Sequence, residues 1–176
     1  LSIMESEWLA HLAQIEASDL ALSDLATTIR FYNVMRQYQT IYDPTAHFLN
    51  AWLPYPYDVI EKGNPADLTG HPRDEVNITL ETMLLAADDA MRSGDYNRAN
   101  IILESITRVM ETDGNFIDPL AINYRNIVRK ADAEGYEAQQ ISLNGSRAEL
   151  IATKKNSNNL DKFRLMLQGQ DWVFTN

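Results

Sequence analysis

Apolar side chains recur along most of this chain at the three- and four-residue spacing of a helix buried on one face. Near the N-terminus the stripe is Trp8, Leu9, Leu12 and Ile15. It follows Ser2-Ile3-Met4-Glu5, where the serine can accept from the amide three residues on and the glutamate can reach back. The pattern predicts a helix over 2–17. Ser18-Asp19 or Ser23-Asp24 can cap a second helix, whose stripe of Leu25, Ile29, Tyr32, Met35 and Tyr38 runs to Tyr42.

The pattern breaks at Asp43-Pro44. Five of the six prolines lie between Pro44 and Pro72, so residues 43–71 read as a proline- and aromatic-rich connection. Pro44 can open a short helix through His47, Phe48 and Trp52. Leu53-Pro54-Tyr55-Pro56-Tyr57 then favours extended backbone, because each proline lacks an amide donor and restricts the residue before it. Helical spacing resumes after Pro72 with Val76, Leu80, Met83, Leu84, Ala87 and Met91, and Gly94 stops it. Tyr96, Ala99, Leu103, Ile106 and Met110 form the next stripe, which ends near Asp113-Gly114. Asp118-Pro119 pairs a cap with a first-turn proline, and a further helix continues through Leu120, Ile127, Val128 and Ala131 to Gly135.

The last forty or so residues are more polar. Ser146-Arg147-Ala148-Glu149 matches a second capping box ahead of Leu150 and Ile151, and Leu160, Phe163, Leu165 and Leu167 suggest a last helix that Gly169 ends. Strand signals are confined to 141–143 and 172–174, the latter a short apolar tail that docks on the domain or on a neighbour. The expectation is a single all-α domain over 1–176, an irregular bundle of six to eight helices around a central αα-hairpin. Residues 142–176 would form a polar, loosely packed C-terminal part.

The stretch Met83 to Asn115 resembles one tetratricopeptide-type helical hairpin. Ala86 and Ala87 fall where such repeats place a small residue in the first helix, Gly94-Asp95-Tyr96 matches the inter-helix turn, and Ala99 falls where the second helix packs closest. The likeness covers about a fifth of the chain. No second copy follows at the family's period of about 34 residues. The resemblance implies close helix packing, with any contact function lying in the flanking proline-rich segment or the oppositely charged C-terminal part.

Composition narrows the chemistry. The chain has 176 residues, 45% of them hydrophobic, enough for one core without disulfides or metals. It has no cysteine, which excludes disulfide frameworks, thiolate zinc sites and cysteine nucleophiles. No run approaches the roughly 18 to 20 apolar residues of a membrane span, and no signal peptide is visible, so the chain reads as soluble. It begins at Leu1 and not at Met, the pattern of a processed or trimmed terminus. The net charge of −10 is uneven: residues 1–119 carry 19 acidic and 7 basic side chains, residues 120–176 carry 6 and 8. Overall acidity disfavours nucleic acid as main partner, and the asymmetry suits contact between copies or with a charged partner.

Catalytic signals are missing from the sequence. His11, His47 and His71 lie far apart, without the i, i+4 spacing of a helical metal pair. Asp88 and Asp89 are neighbours and point to different faces of a helix, so they cannot form a paired-carboxylate site. Residues 113–118 lack the alternating ligands and distal glutamate of an EF-hand loop. No phosphate-cradling glycine loop and no GxSxG elbow occurs. Asn77-Ile78-Thr79 and Asn144-Gly145-Ser146 are formal glycosylation sequons, which arise readily by chance. No catalytic, cofactor-binding or metal-ligating residue is assigned, and the chain is not expected to be an enzyme.

Trp52, Tyr55 and Tyr57 are candidate partner contacts, because rigid aromatics give large contact area at low conformational cost. Lys154, Lys155 and Trp172 join them from the C-terminal part. Lys162 and Arg164, with Arg125, Arg129 and Lys130, extend a basic set. The function expected is a non-enzymatic structural or adaptor subunit acting through protein–protein contact in a larger, homo-oligomeric or mixed assembly. Viral or phage particle connectors are one such context. Two alternatives are a nucleic-acid-associated accessory protein using the C-terminal basic residues, and an enzyme whose carboxylate site assembles from separate helices.

Overall fold

The computed structural model describes residues 18–42, 74–155, 157 and 159–175. The expected first helix over 2–17 and the 43–71 connection, with Trp52, Tyr55 and Tyr57, lie outside the described residues. Four helices come first: α1 (Asp19–Tyr42), α2 (Glu75–Arg92), α3 (Tyr96–Glu111) and α4 (Pro119–Ala133). Four strands follow: β1 (Tyr136–Asn144), β2 (Arg147–Lys154), β3 (Leu160–Gln168) and β4 (Asp171–Thr175).

Each helix starts where a side chain can satisfy its free amides. Ser18 Oγ accepts from Ala21 N at 3.2 Å, Asp74 from Asn77 N at 2.9 Å, and Asp95 from Arg98 N at 3.1 Å. Asp118 caps α4, accepting from Leu120 N at 2.9 Å, with Pro119 in the first turn. Burial alone would raise the Asp118 pKa. The Ser105 hydroxyl, the Leu120 and Ala121 amides and Arg108 outweigh it and hold the carboxyl below its ordinary value.

Helices α2 and α3 meet at Gly94, which takes φ +77°. The end of α2 is a Schellman motif: Gly94 N donates to Met91 O at 2.9 Å and Asp95 N to Ala90 O at 2.8 Å. Ala86, Ala87, Ala90 and Ala99 are buried, so the two backbones approach closely. Nothing lies within 4 Å of where a Cβ on Gly94 would sit, so a substitution there meets backbone strain and no clash. Gly94→Ala should therefore cost about 1 kcal/mol and lower the urea midpoint, with Gly94→Asn costing less. An unchanged midpoint for Gly94→Ala would contradict the strain.

The fold is mixed, with helices followed by an antiparallel sheet, and is not the all-α bundle of six to eight helices that helical spacing predicts. The error lies in the last third. Ile141, Leu143, Ala148, Leu150 and Ala152 are buried at every second position, the period of a strand. The strands form a meander in the order β1-β2-β3-β4. Ser146-Arg147-Ala148-Glu149 caps no helix. Gly145 and Ser146 are the two-residue turn joining β1 to β2, with Gly145 at φ +58°, and Ser146 O accepts from Leu167 N at 2.8 Å. The expected last helix over Leu160–Leu167 is strand β3.

The inner face of the sheet packs on the helices. Ile141 pairs with Leu150, Leu150 with Phe163, and Leu165 with Phe174. Tyr136, Phe163 and Phe174 stack edge to face at 4.8 and 5.1 Å. A bulge at Gln139 keeps both Ala138 and Ile141 on the buried side. The core is continuous from Phe31, Met35 and Tyr38 of α1, through Leu80, Leu103, Ile106 and Tyr124, to Leu150 and Trp172. Strands β2, β3 and β4 therefore contribute packed core through Ala148, Leu150, Ala152, Leu165 and Trp172.

Candidate functional site: an arginine-lined groove

The outer face of the sheet carries the residues that alternate with the core. Across its strands run the rows Ser142–Glu149–Arg164–Thr175 and Asn144–Arg147–Met166–Val173. At this end of the sheet a cavity of about 590 Å³ opens on the surface, lined by these residues other than Val173, by the neighbouring Leu143, Ala148 and Leu165, and by Arg98 from the first turn of α3. A volume of this size falls in the usual range of ligand pockets.

Arg98 is held from several elements. Its Nη2 donates to the Leu143 carbonyl of β1, and its side chain hydrogen-bonds Tyr124 of α4. Asp89 of α2 adds a negative charge near the phenol and accepts from Gln140 Nε2 at 2.7 Å. Burial pushes the Tyr124 phenol up to about 12; the Arg98 charge opposes this, the Asp89 charge reinforces it, and the Arg98 hydrogen bond opposes it. The folded pKa thus stands above the ordinary value near 10 of an unfolded chain. The stabilisation it represents is complete below about pH 10 and is lost as pH rises through about 12. Tyr124→Phe should flatten the loss of stability over that interval, read as urea midpoints against pH. An equally steep loss in Tyr124→Phe would contradict this assignment.

Among the described residues, one carboxylate, Glu149, lines the groove. Lys162 Nζ lies 2.9 Å from Glu149 Oε2, and Arg164 Nε 3.7 Å from Oε1. The Lys162 hydrogen bond and charge, with Arg164, hold its pKa below the usual value. Arg147 is exposed and has no ion pair among the described residues. The groove therefore presents three guanidinium groups against one carboxylate already shared with Lys162.

The sequence-predicted contact residues scatter. Trp172 is buried at 3% exposure and donates Nε1–H to Asn123 Oδ1 at 3.3 Å, so it is part of the core and not of a free surface. Lys154 is exposed at the end of β2, opposite Tyr136. Lys155 Nζ sits 2.5 Å from Asp132 Oδ1. The wider basic set does not converge either. Arg129 pairs with Glu75 at 2.7 Å, Lys130 with Glu134 at 2.7 Å, and the Arg125 guanidinium lies over the Phe116 ring at 5.2 Å. These three belong to α4, packed against the inner side of the sheet, whereas Lys162 and Arg164 face outward. Asp88 is buried with its Oδ2 2.9 Å from Arg92 Nε, while Asp89 is exposed, so the two acids diverge.

Sequence reasoning missed Arg98 and Arg147. They line one cavity because the Gly145 turn folds β2 back beside β1, whose Leu143 carbonyl accepts from Arg98. A second surface feature is apolar: Leu22, Leu25 and Ile29 are 51%, 58% and 54% exposed at i, i+3 and i+7 of α1, whose opposite face buries Phe31, Val34 and Met35.

Among the described residues no group of three His, Cys, Asp or Glu side chains could hold a metal ion, and no helix is long and apolar enough to cross a membrane. No protein-family model matches the chain, and no match is found among curated proteins or among solved structures.

Proposed function

We propose that this protein is a structural or adaptor subunit without enzymatic activity, working through protein–protein contact in a larger assembly, and that the groove on the sheet's outer face receives an acidic segment of its partner. The observation that carries this reading is that Arg98, Arg147 and Arg164, from three separate elements, line one cavity in which the single acid among the described residues is already paired. Arginine's planar fork suits carboxylate-rich partners, and steering by such a patch favours fast, specific encounter. The acidity of residues 1–119 makes a second copy one such partner.

Nucleic acid fits this surface less well. Among the described residues no aromatic side chain lines the groove to stack a base, the α4 cations lie on the other side of the sheet, and the chain as a whole is strongly acidic.

Calorimetric titration with a Glu-rich peptide tests the proposal, alongside light scattering on the chain alone. Binding should weaken as salt rises, and Arg147→Glu with Arg164→Glu should reduce affinity by about tenfold or more. A monomer that binds no acidic peptide at low salt would contradict it.

A further inference from the structure

We infer that the groove is a phosphate-monoester site, so that the acidic group it recognises is a phosphorylated side chain. The inference rests on the contact reading above and sharpens the ligand. The polar residues that line the cavity are Arg98, Arg147 and Arg164, with Ser142, Asn144, Thr175 and the one carboxylate, Glu149. All three arginines offer only donors, and Ser142 and Asn144 can donate as well, while the Thr175 hydroxyl already donates to Arg164 O at 3.3 Å. A guanidinium has five N–H donors, and the bonds of Arg98 to Leu143 O and to Tyr124 do not exhaust them. Those bonds instead fix the direction of its fork.

Charge separates the possible anions. Among the described residues that line the cavity, three guanidinium groups against Glu149 leave an excess of two positive charges; Glu149 is further neutralised by Lys162, and Asp89 and Asp95 lie beside Arg98 in the adjoining depression and offset part of its charge. A glutamate side chain brings one negative charge and two oxygens. A phosphate monoester brings about 1.5 to 2 charges near neutrality and three strong acceptor oxygens, which matches both the excess charge and the donor count. A phosphodiester carries one charge per unit and needs a longer basic track or stacking rings.

The same chemistry could come from a partner's phosphoserine or from free phosphate, and calorimetry with separate probes distinguishes them. The probes are a phosphoserine peptide, the same peptide with glutamate at that position, inorganic phosphate, and a single-stranded oligonucleotide. The phosphoserine peptide should bind roughly tenfold more tightly than the glutamate peptide at pH 7.5, and the advantage should shrink below about pH 6 as the phosphate takes up a proton. Arg147→Gln and Arg164→Gln should each remove most of that advantage. Both residues are exposed, so an unchanged melting curve shows that the fold survives. Inorganic phosphate binding as tightly as the phosphopeptide would support the phosphate site and assign it to the free ion. Equal affinity for the phosphoserine and glutamate peptides would overturn the phosphate claim while leaving the contact reading in place. Binding of neither peptide would overturn both, and tighter binding of the oligonucleotide would replace the monoester with a nucleic-acid backbone.

Discussion

Trp172→Ala should destabilise the domain by about 3–5 kcal/mol, the usual cost of truncating a large buried aromatic side chain. Trp172 is 3% exposed on the inner face of β4, pairs across the sheet with Leu167, and donates its indole N–H to Asn123 of α4. Truncation removes the packing, leaves a cavity between sheet and helix, and strands the Asn123 acceptor. Against a total stability of about 5–15 kcal/mol, such a loss takes a large share. Trp172→Phe keeps most of the apolar area and should cost clearly less, about 1–2 kcal/mol. Urea unfolding followed by near-ultraviolet circular dichroism measures both. An unchanged midpoint for Trp172→Ala would mean that the C-terminal part is only loosely attached.

The second large effect separates two adjacent residues. Leu150 is fully buried in β2 between Ile141 and Phe163, while Ile151 faces outward between Gln140 and Lys162. Leu150→Asp should cost more than about 4 kcal/mol, because it places a carboxylate without a partner in the core. Ile151→Thr, which keeps a β-branched side chain on the outer face, should cost less than about 1 kcal/mol. The contrast follows from the two-residue period of a strand. Thermal unfolding of the two variants reads it, and similar losses at both positions would contradict the register.

The helical half was legible because two kinds of signal agree there. Asp118-Pro119, Gly94 and Asp113-Gly114 mark helix ends, and Leu80, Leu84, Leu103 and Ile106 keep helical spacing between them. The sheet was not legible because its signals are double. Leu160, Phe163 and Leu167 fit an i, i+3, i+7 stripe, yet Phe163, Leu165 and Leu167 also alternate, and only the second spacing is used. Ser146 and Glu149 have the spacing of a capping box but belong to a turn and a strand. Asn144-Gly145, flanked by alternating apolar residues, is a two-residue hairpin signal that coincides with the formal sequon Asn144-Gly145-Ser146.

The groove was less legible than the fold. Arg164 belonged to the basic set picked out in the sequence, but Arg98 and Arg147 have no local motif. Their convergence is a product of strand pairing and of the bond from Arg98 to Leu143 O, neither of which leaves a spacing in the chain. The reverse holds for Lys155, Arg129 and Lys130, which look like an interaction surface in sequence and are neutralised by Asp132, Glu75 and Glu134 in the fold.

The central claim is that the outer face of the sheet is the working surface. Backbone amide shifts of isotope-labelled protein, followed by magnetic resonance during titration with the phosphoserine peptide, test it most directly. Saturable shifts should group on Arg98, Ser142, Asn144, Arg147, Arg164 and Thr175, with a smaller response at Tyr124 behind the groove. Shifts confined to the Leu22, Leu25 and Ile29 face of α1, or to Arg129 and Lys130 on α4, would contradict it.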